Sequence, residues 1–156
     1  MRRAVMFAAS VIALAACSEG GAGEIKGLRL ATRSYRLTVT PNPIPPFANE
    51  TTFYTVTVTD RATSQPVQNG EGQIYGQLTE TGRPYTWDSF VYGPEVGTYH
   101  AKLRFAIASV TGRPDEAWQM GLRFRRDSLS PTEVVNWTQQ IRDERPSPPA
   151  RDSIRR

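Results

Sequence analysis

The chain has 156 residues, with 19 Lys and Arg against 15 Asp and Glu, a formal net charge of +4 at pH 7, and one cysteine. That length holds one domain with tails rather than two comfortable domains. A single cysteine excludes a disulfide within the chain and a cysteine-built metal site, and so nearly balanced a charge gives no support to a nucleic-acid partner.

Residues 1–16 carry the parts of an export signal in order: Arg2 and Arg3 make a positive start, and Ala4 to Ala13 is an apolar run. The run is too short to span a membrane, which takes about 20 apolar residues. It ends in Leu14-Ala15-Ala16-Cys17, which resembles the lipobox of bacterial lipoproteins, where small residues admit the peptidase and the cysteine sulfur takes the lipid. The resemblance implies cleavage before Cys17, acylation of Cys17, and anchoring of the remaining chain to a membrane outside the cytoplasm. Two or more acyl chains hold a protein there stably where one does not. Ser18 stands where lipoproteins kept in the inner membrane often have Asp, which implies the periplasmic side of the outer membrane if the envelope has two. The plainer reading is an ordinary signal cut after Ala15, with Cys17 a stray thiol. Loss of residues 1–16 leaves 140, with 17 basic side chains against 15 acidic.

Residues 17–27 form the acylated cysteine and a tether. Four glycines between Ser18 and Gly27 and no apolar period predict a flexible coil reaching on the order of 17 Å. Residues 28–126 change character, with β-branched and aromatic residues alternating with polar ones between Pro and Gly clusters. The clearest strands are Tyr99, Ala101, Leu103, Phe105, Ile107 and Trp118, Met120, Leu122, Phe124, each at period two, which a helix cannot satisfy. Further strands are predicted around Tyr35, Leu37, Val39, around Tyr54, Val56, Val58, over Ile74 to Leu78, and less regularly over Tyr85 to Tyr92. Six strands with one polar face each predict an all-β fold, an immunoglobulin-like antiparallel β-sandwich. Residues 127–142 predict one short C-terminal helix, from Ser130 as cap, Pro131 at the first position, Glu133 three after the cap and a Leu129 to Val134 staple. Residues 143–156, rich in Pro and Arg, read as a disordered tail.

The Pro41 to Pro46 cluster leading into Phe53-Tyr54-Thr55-Val56-Thr57-Val58, then Asp60, Gln65-Pro66-Val67 and Gly72-Gln73-Ile74, then Gly97-Thr98-Tyr99 with Phe105 and finally Trp118, resemble the YtkA-like family of small extracytoplasmic domains. The match spans most of residues 28–126. It implies an immunoglobulin-type sandwich and transfers no catalytic residue. Gly97-Thr98-Tyr99 also resembles a tyrosine corner, whose phenol bonds back to the backbone and pins the crossing between sheets.

Three groups of residues are candidates for function. His100, the one histidine, lacks a nearby nucleophile or ligand set in sequence and alternates onto the polar face with Lys102 and Arg104, so it reads as a surface histidine rather than a base or metal ligand. With one His and one Met after the leader, a copper site within one chain is not expected, and no cofactor is implied. If the strands carrying Lys102 and Arg104 and those carrying Arg123 and Arg125 are neighbours, one sheet face presents all four with His100, a patch that suits anionic polymers, lipid head groups or an acidic protein. The plain alternative is a solvated sheet face. Tyr75, Tyr85, Trp87, Phe90 and Tyr92 form an aromatic cluster that suits sugars or a protein interface, with core packing as the alternative for Trp87. No motif brings a nucleophile, base and acid together. The expectation is a non-catalytic, membrane-anchored envelope lipoprotein that binds another envelope protein or an anionic polymer, with a carbohydrate-binding module as the second reading.

Overall fold

Tyr35, Leu37 and Val39 in β2 (Tyr35–Asn42) and Tyr54, Val56 and Val58 in β3 (Thr51–Asp60) point inward between exposed or half-exposed polar neighbours. The computed structural model, which describes residues 27–78, 85–109 and 117–143, adds seven further strands. These are β1 (Leu28–Ala31), β4 (Glu71–Leu78), β5 (Tyr85–Ser89), β6 (Val91–Tyr92), β7 (Thr98–Arg104), β8 (Trp118–Arg125) and β9 (Glu133–Gln139). They form a five-stranded sheet in the order β1-β2-β3-β7-β6 and a four-stranded sheet in the order β5-β4-β8-β9. All pairings between named strands are antiparallel. The two sheets pack as an immunoglobulin-like sandwich, as the alternation predicts.

The inward residues meet in one core. Tyr99, Leu103, Phe105, Trp118, Leu122 and Phe124 are all buried. Each such side chain contributes roughly 1.5–3 kcal/mol by leaving water. Trp118 packs edge-on to Phe105 at 4.9 Å between ring centroids, and Phe124 meets Tyr99 at 5.3 Å and Tyr35 at 5.1 Å. Buried polar groups of the rings are satisfied. The Trp118 indole N–H donates to the Ile107 carbonyl at 3.0 Å, and the Tyr54 hydroxyl on β3 donates to Gln139 Oε1 on β9, also at 3.0 Å, which ties one sheet to the other. Burial pushes the Tyr54 phenol pKa up. The Tyr99 hydroxyl donates to Val67 O at 2.8 Å and accepts from Gly70 N at 3.0 Å. It therefore pins the connection between β3 and β4, some 30 residues back, whereas a tyrosine corner bonds only a few residues upstream.

Two expectations are corrected. Among the described residues there is no helix, and the segment read as a capped helix is a turn followed by β9. The Ser130 hydroxyl that should cap the helix instead donates to Asp127 Oδ1 at 2.9 Å, which also accepts from Leu129 N and Ser130 N. Leu129 and Val134 make no staple, being 96% and 48% exposed. Glu133, the other half of the capping box, accepts from Ser34 N at 2.9 Å. The β-branched Val134, Val135 and Thr138 suit a pleated strand, and the edge of β8 pairs with β9 in register from Trp118↔Gln139 to Phe124↔Glu133. Second, β7 ends at Arg104, so Ile107 leaves the strand face and is 50% exposed. The leader, Cys17, the tether and the tail beyond residue 143 lie outside the described residues.

Candidate functional site

Cross-strand register assembles the outer face of the four-stranded sheet row by row. Trp87, Tyr75, Gly121 and Asn136 form one row across β5, β4, β8 and β9. On one side lie Tyr85, Gln77, Gln119 and Thr138, and on the other Ser89, Gln73, Arg123 and Val134. The alternation of β4 sends Gln73, Tyr75 and Gln77 outward and buries Ile74 and Gly76 behind them.

Glycine in the middle of the central row shapes the surface. A Cβ on Gly121 would stand 2.1 Å from the Tyr75 ring, so that ring lies across the space a side chain would fill. Its hydroxyl reaches over β8 to Asn136 Oδ1 on β9, at 3.3 Å. Tyr85 stacks beside it with centroids 6.2 Å apart and planes 30° from parallel, and the Arg123 guanidinium sits 5.2 Å from the Tyr75 centroid. Trp87 and Tyr85 remain 56% and 50% exposed. The result is a bed of aromatic rings edged by four amide side chains, Gln73, Gln77, Gln119 and Asn136, each able to donate and accept.

A cleft of about 520 Å³ adjoins this face where the chain turns out of the four-stranded sheet after β5, lined among others by Gln73, Ser89, Tyr92, Arg123 and Arg125. Arg123 borders both the cleft and the aromatic bed. Arg125 pairs with Glu71, which leaves Arg123 without a carboxylate partner among the described residues.

The expected basic patch does not assemble. β7 and β8 are in different sheets, so His100, Lys102 and Arg104 lie on the five-stranded side and Arg123 and Arg125 on the four-stranded side. The connection after β7 crosses the sandwich instead of turning back beside it. His100 is half-buried with Nδ1 3.3 Å from Thr55 Oγ1, and Lys102 and Arg104 are exposed on the same face. The aromatic cluster also divides. Tyr85 and Trp87 stay on the four-stranded outer face, Phe90 packs against the core at 5.8 Å from Tyr99, and Tyr92 enters the five-stranded sheet, 58% exposed. Trp87 is therefore not a core residue. Gln73, Gln77, Gln119, Gly121 and Asn136 are not among the binding candidates that the sequence offers. The alternation Gln73-x-Tyr75-x-Gln77 carries the signal for β4, but their neighbours on other strands follow only from register.

Among the described residues no three His, Cys, Asp or Glu side chains group as a metal site, and no helix is long and apolar enough to cross a membrane. No family model matches the chain, and neither a curated protein nor a solved structure matches it.

Proposed function

We propose that this chain is a non-catalytic, lipid-anchored envelope protein that holds a glycan chain on the outer face of its four-stranded sheet. The observation that carries this reading is the pinned Tyr75 ring over Gly121, flanked by the exposed Tyr85 and Trp87 rings. The C–H faces of a pyranose ring are apolar and stack on aromatic faces, while its rim of hydroxyls takes hydrogen bonds from amides such as Gln73, Gln77 and Asn136. An extended sheet surface suits an extended chain. The lipid on Cys17 would hold that surface near envelope polymers, consistent with the export leader and the YtkA-like resemblance.

Among the described residues Arg123 is the one cation at the centre of this face, so charge has a secondary part in binding. Retention of the protein on purified peptidoglycan sacculi and on a panel of immobilised neutral polysaccharides tests the reading. Retention on at least one should persist at high salt, since stacking is insensitive to ionic screening, and Trp87→Ala should weaken it about tenfold, or about 1.4 kcal/mol. Failure to bind any of them, or binding indifferent to Trp87→Ala, contradicts it.

A further inference from the structure

A second surface lies on the opposite sheet. Arg29, on the first strand of the sandwich, shares a cross-strand row with Thr38 and Thr57, and Arg36 lies one row on, beside Thr59. Arg61, in the connection after β3, folds back on the turn between β1 and β2. Its backbone N–H donates to Ser34 O and its Nη1 to Thr32 O, both at 2.8 Å. Arg29, Arg36 and Arg61, with Thr38, Thr57 and Thr59, are among the residues that line one cleft of about 520 Å³, and the Arg36 Nη1 donates to Ser64 Oγ at 3.2 Å. Arg33, exposed in the β1–β2 turn, adds a fourth cation at the same end.

Among the described residues none of these arginines makes an ion pair. The carboxylates at this end are engaged elsewhere: Asp60 holds Arg126 and the N–H groups of Ala62 and Thr63, and Glu133 accepts from Ser34 N. Like charges gathered around a cleft without a counter-charge call for an anion, and guanidinium groups match phosphate oxygens in a planar fork. Position says which anion. Cys17 precedes Leu28 by 11 residues, so an acyl group on Cys17 would hold β1 within about 40 Å of a bilayer even if that span were fully extended.

We propose that the Arg29, Arg36 and Arg61 cleft on the five-stranded sheet binds the phosphate groups of anionic membrane lipids, which lays that sheet on the bilayer and turns the four-stranded sheet away from it. The cleft and its charge stand apart from the glycan reading, whereas the choice of a lipid phosphate rests on the lipid anchor proposed above at Cys17.

The test uses the full chain with Cys17→Ala, cosedimented with vesicles of phosphatidylcholine alone and with vesicles of equal parts phosphatidylcholine and phosphatidylglycerol. The leader, with Arg2 and Arg3, is common to every variant, so the change in the ratio of the two partition coefficients is the readout. Each arginine at an anionic surface is worth about a factor of five, so Arg29→Gln, Arg36→Gln and Arg61→Gln together should lower the ratio about a hundredfold. Arg29→Gln alone should lower it about fivefold. Among the described residues the Arg29 side chain makes no hydrogen bond or ion pair to lose, so this single variant remains readable if the triple one fails to fold. An unchanged ratio in Arg29→Gln overturns the proposal. So does equal displacement by millimolar inorganic phosphate, which would make the cleft a site for the free ion. Trp87→Ala should keep the parent ratio, so a failed glycan reading and a failed lipid site give different results.

Discussion

The two sheets present the same kind of inner face and unlike outer faces. Inward, both supply aliphatic and aromatic side chains to one core, from Leu37, Tyr54 and Tyr99 on one side to Ile74, Trp118 and Phe124 on the other. Outward, the five-stranded sheet shows Thr38, Thr40, Thr55, Thr57 and Thr59 with arginines at its β1 end, while the four-stranded sheet shows rings and amides around a glycine. Threonine suits a solvated strand for reasons of backbone shape alone. Exposed Trp and Tyr do not, and the glycine beneath Tyr75 forgoes a side chain that a strand would otherwise pack. Function is therefore expected on the four-stranded face, the costly one, whose composition folding does not require.

The two sheets share one core. Trp118→Ala should therefore lower stability by about 3–5 kcal/mol and do so in a single unfolding transition seen alike by near- and far-ultraviolet circular dichroism. Two separate transitions would mean that the sheets unfold independently. Tyr99→Phe removes the hydroxyl that bonds Val67 O and Gly70 N between the sheets. It should cost about 1–3 kcal/mol by chemical denaturation, and an unmoved midpoint would mean the pin holds nothing.

Smaller changes sharpen the contrast between the outer faces. Gly121→Ala pushes against the outer end of the Tyr75 ring, which can swing away, so stability should change by no more than about 1 kcal/mol. Glycan retention should nevertheless fall about as far as in Trp87→Ala. Thr57→Val, on the opposite face, should stay within about 0.5 kcal/mol and leave glycan retention intact. Equal effects of these two substitutions on retention would erase the distinction. Smallest is an acid effect where the sheets meet. N–H groups of Thr63 and Ala62, with Arg126, hold the Asp60 carboxyl down at about 2. A carboxylate with a depressed folded pKa stabilises above its unfolded value and loses that contribution as pH falls, here between about 4 and about 2. Asp60→Asn should flatten the fall of the unfolding midpoint over that window; an unaltered slope would assign the acid limb to other groups.

Much of the inner lattice was legible from residues alone. Period-two spacing placed Tyr99, Leu103, Trp118, Leu122 and Phe124 inward, and all are buried. Pairing order was not legible. Lys102, Arg104, Arg123 and Arg125 alternate outward as read, but a local pattern cannot say whether the connection after Arg104 turns back or crosses, and it crosses. The same limit hid the row of Trp87, Tyr75, Gly121 and Asn136, whose members are brought together by register across four strands. The C-terminal segment failed for another reason. Ser130, Pro131 and Glu133 are valid local signals for a helix start, yet Asp127 captured the serine and the open edge of β8 offered seven paired residues that an isolated short helix could not match.

The three tryptophans of the chain, in three settings, report directly on whether the ring-bearing face binds glycan. Trp87 is exposed on that face, Trp118 is buried in the core, and Trp137 is half-buried on β9 with its indole N–H toward Gln139 Oε1. Titration of the ¹⁵N-labelled protein with a soluble oligosaccharide of whichever polymer retains it should shift or broaden the Trp87 indole resonance and leave those of Trp118 and Trp137 in place. Saturation of binding with the Trp87 resonance unmoved would place the glycan on another surface.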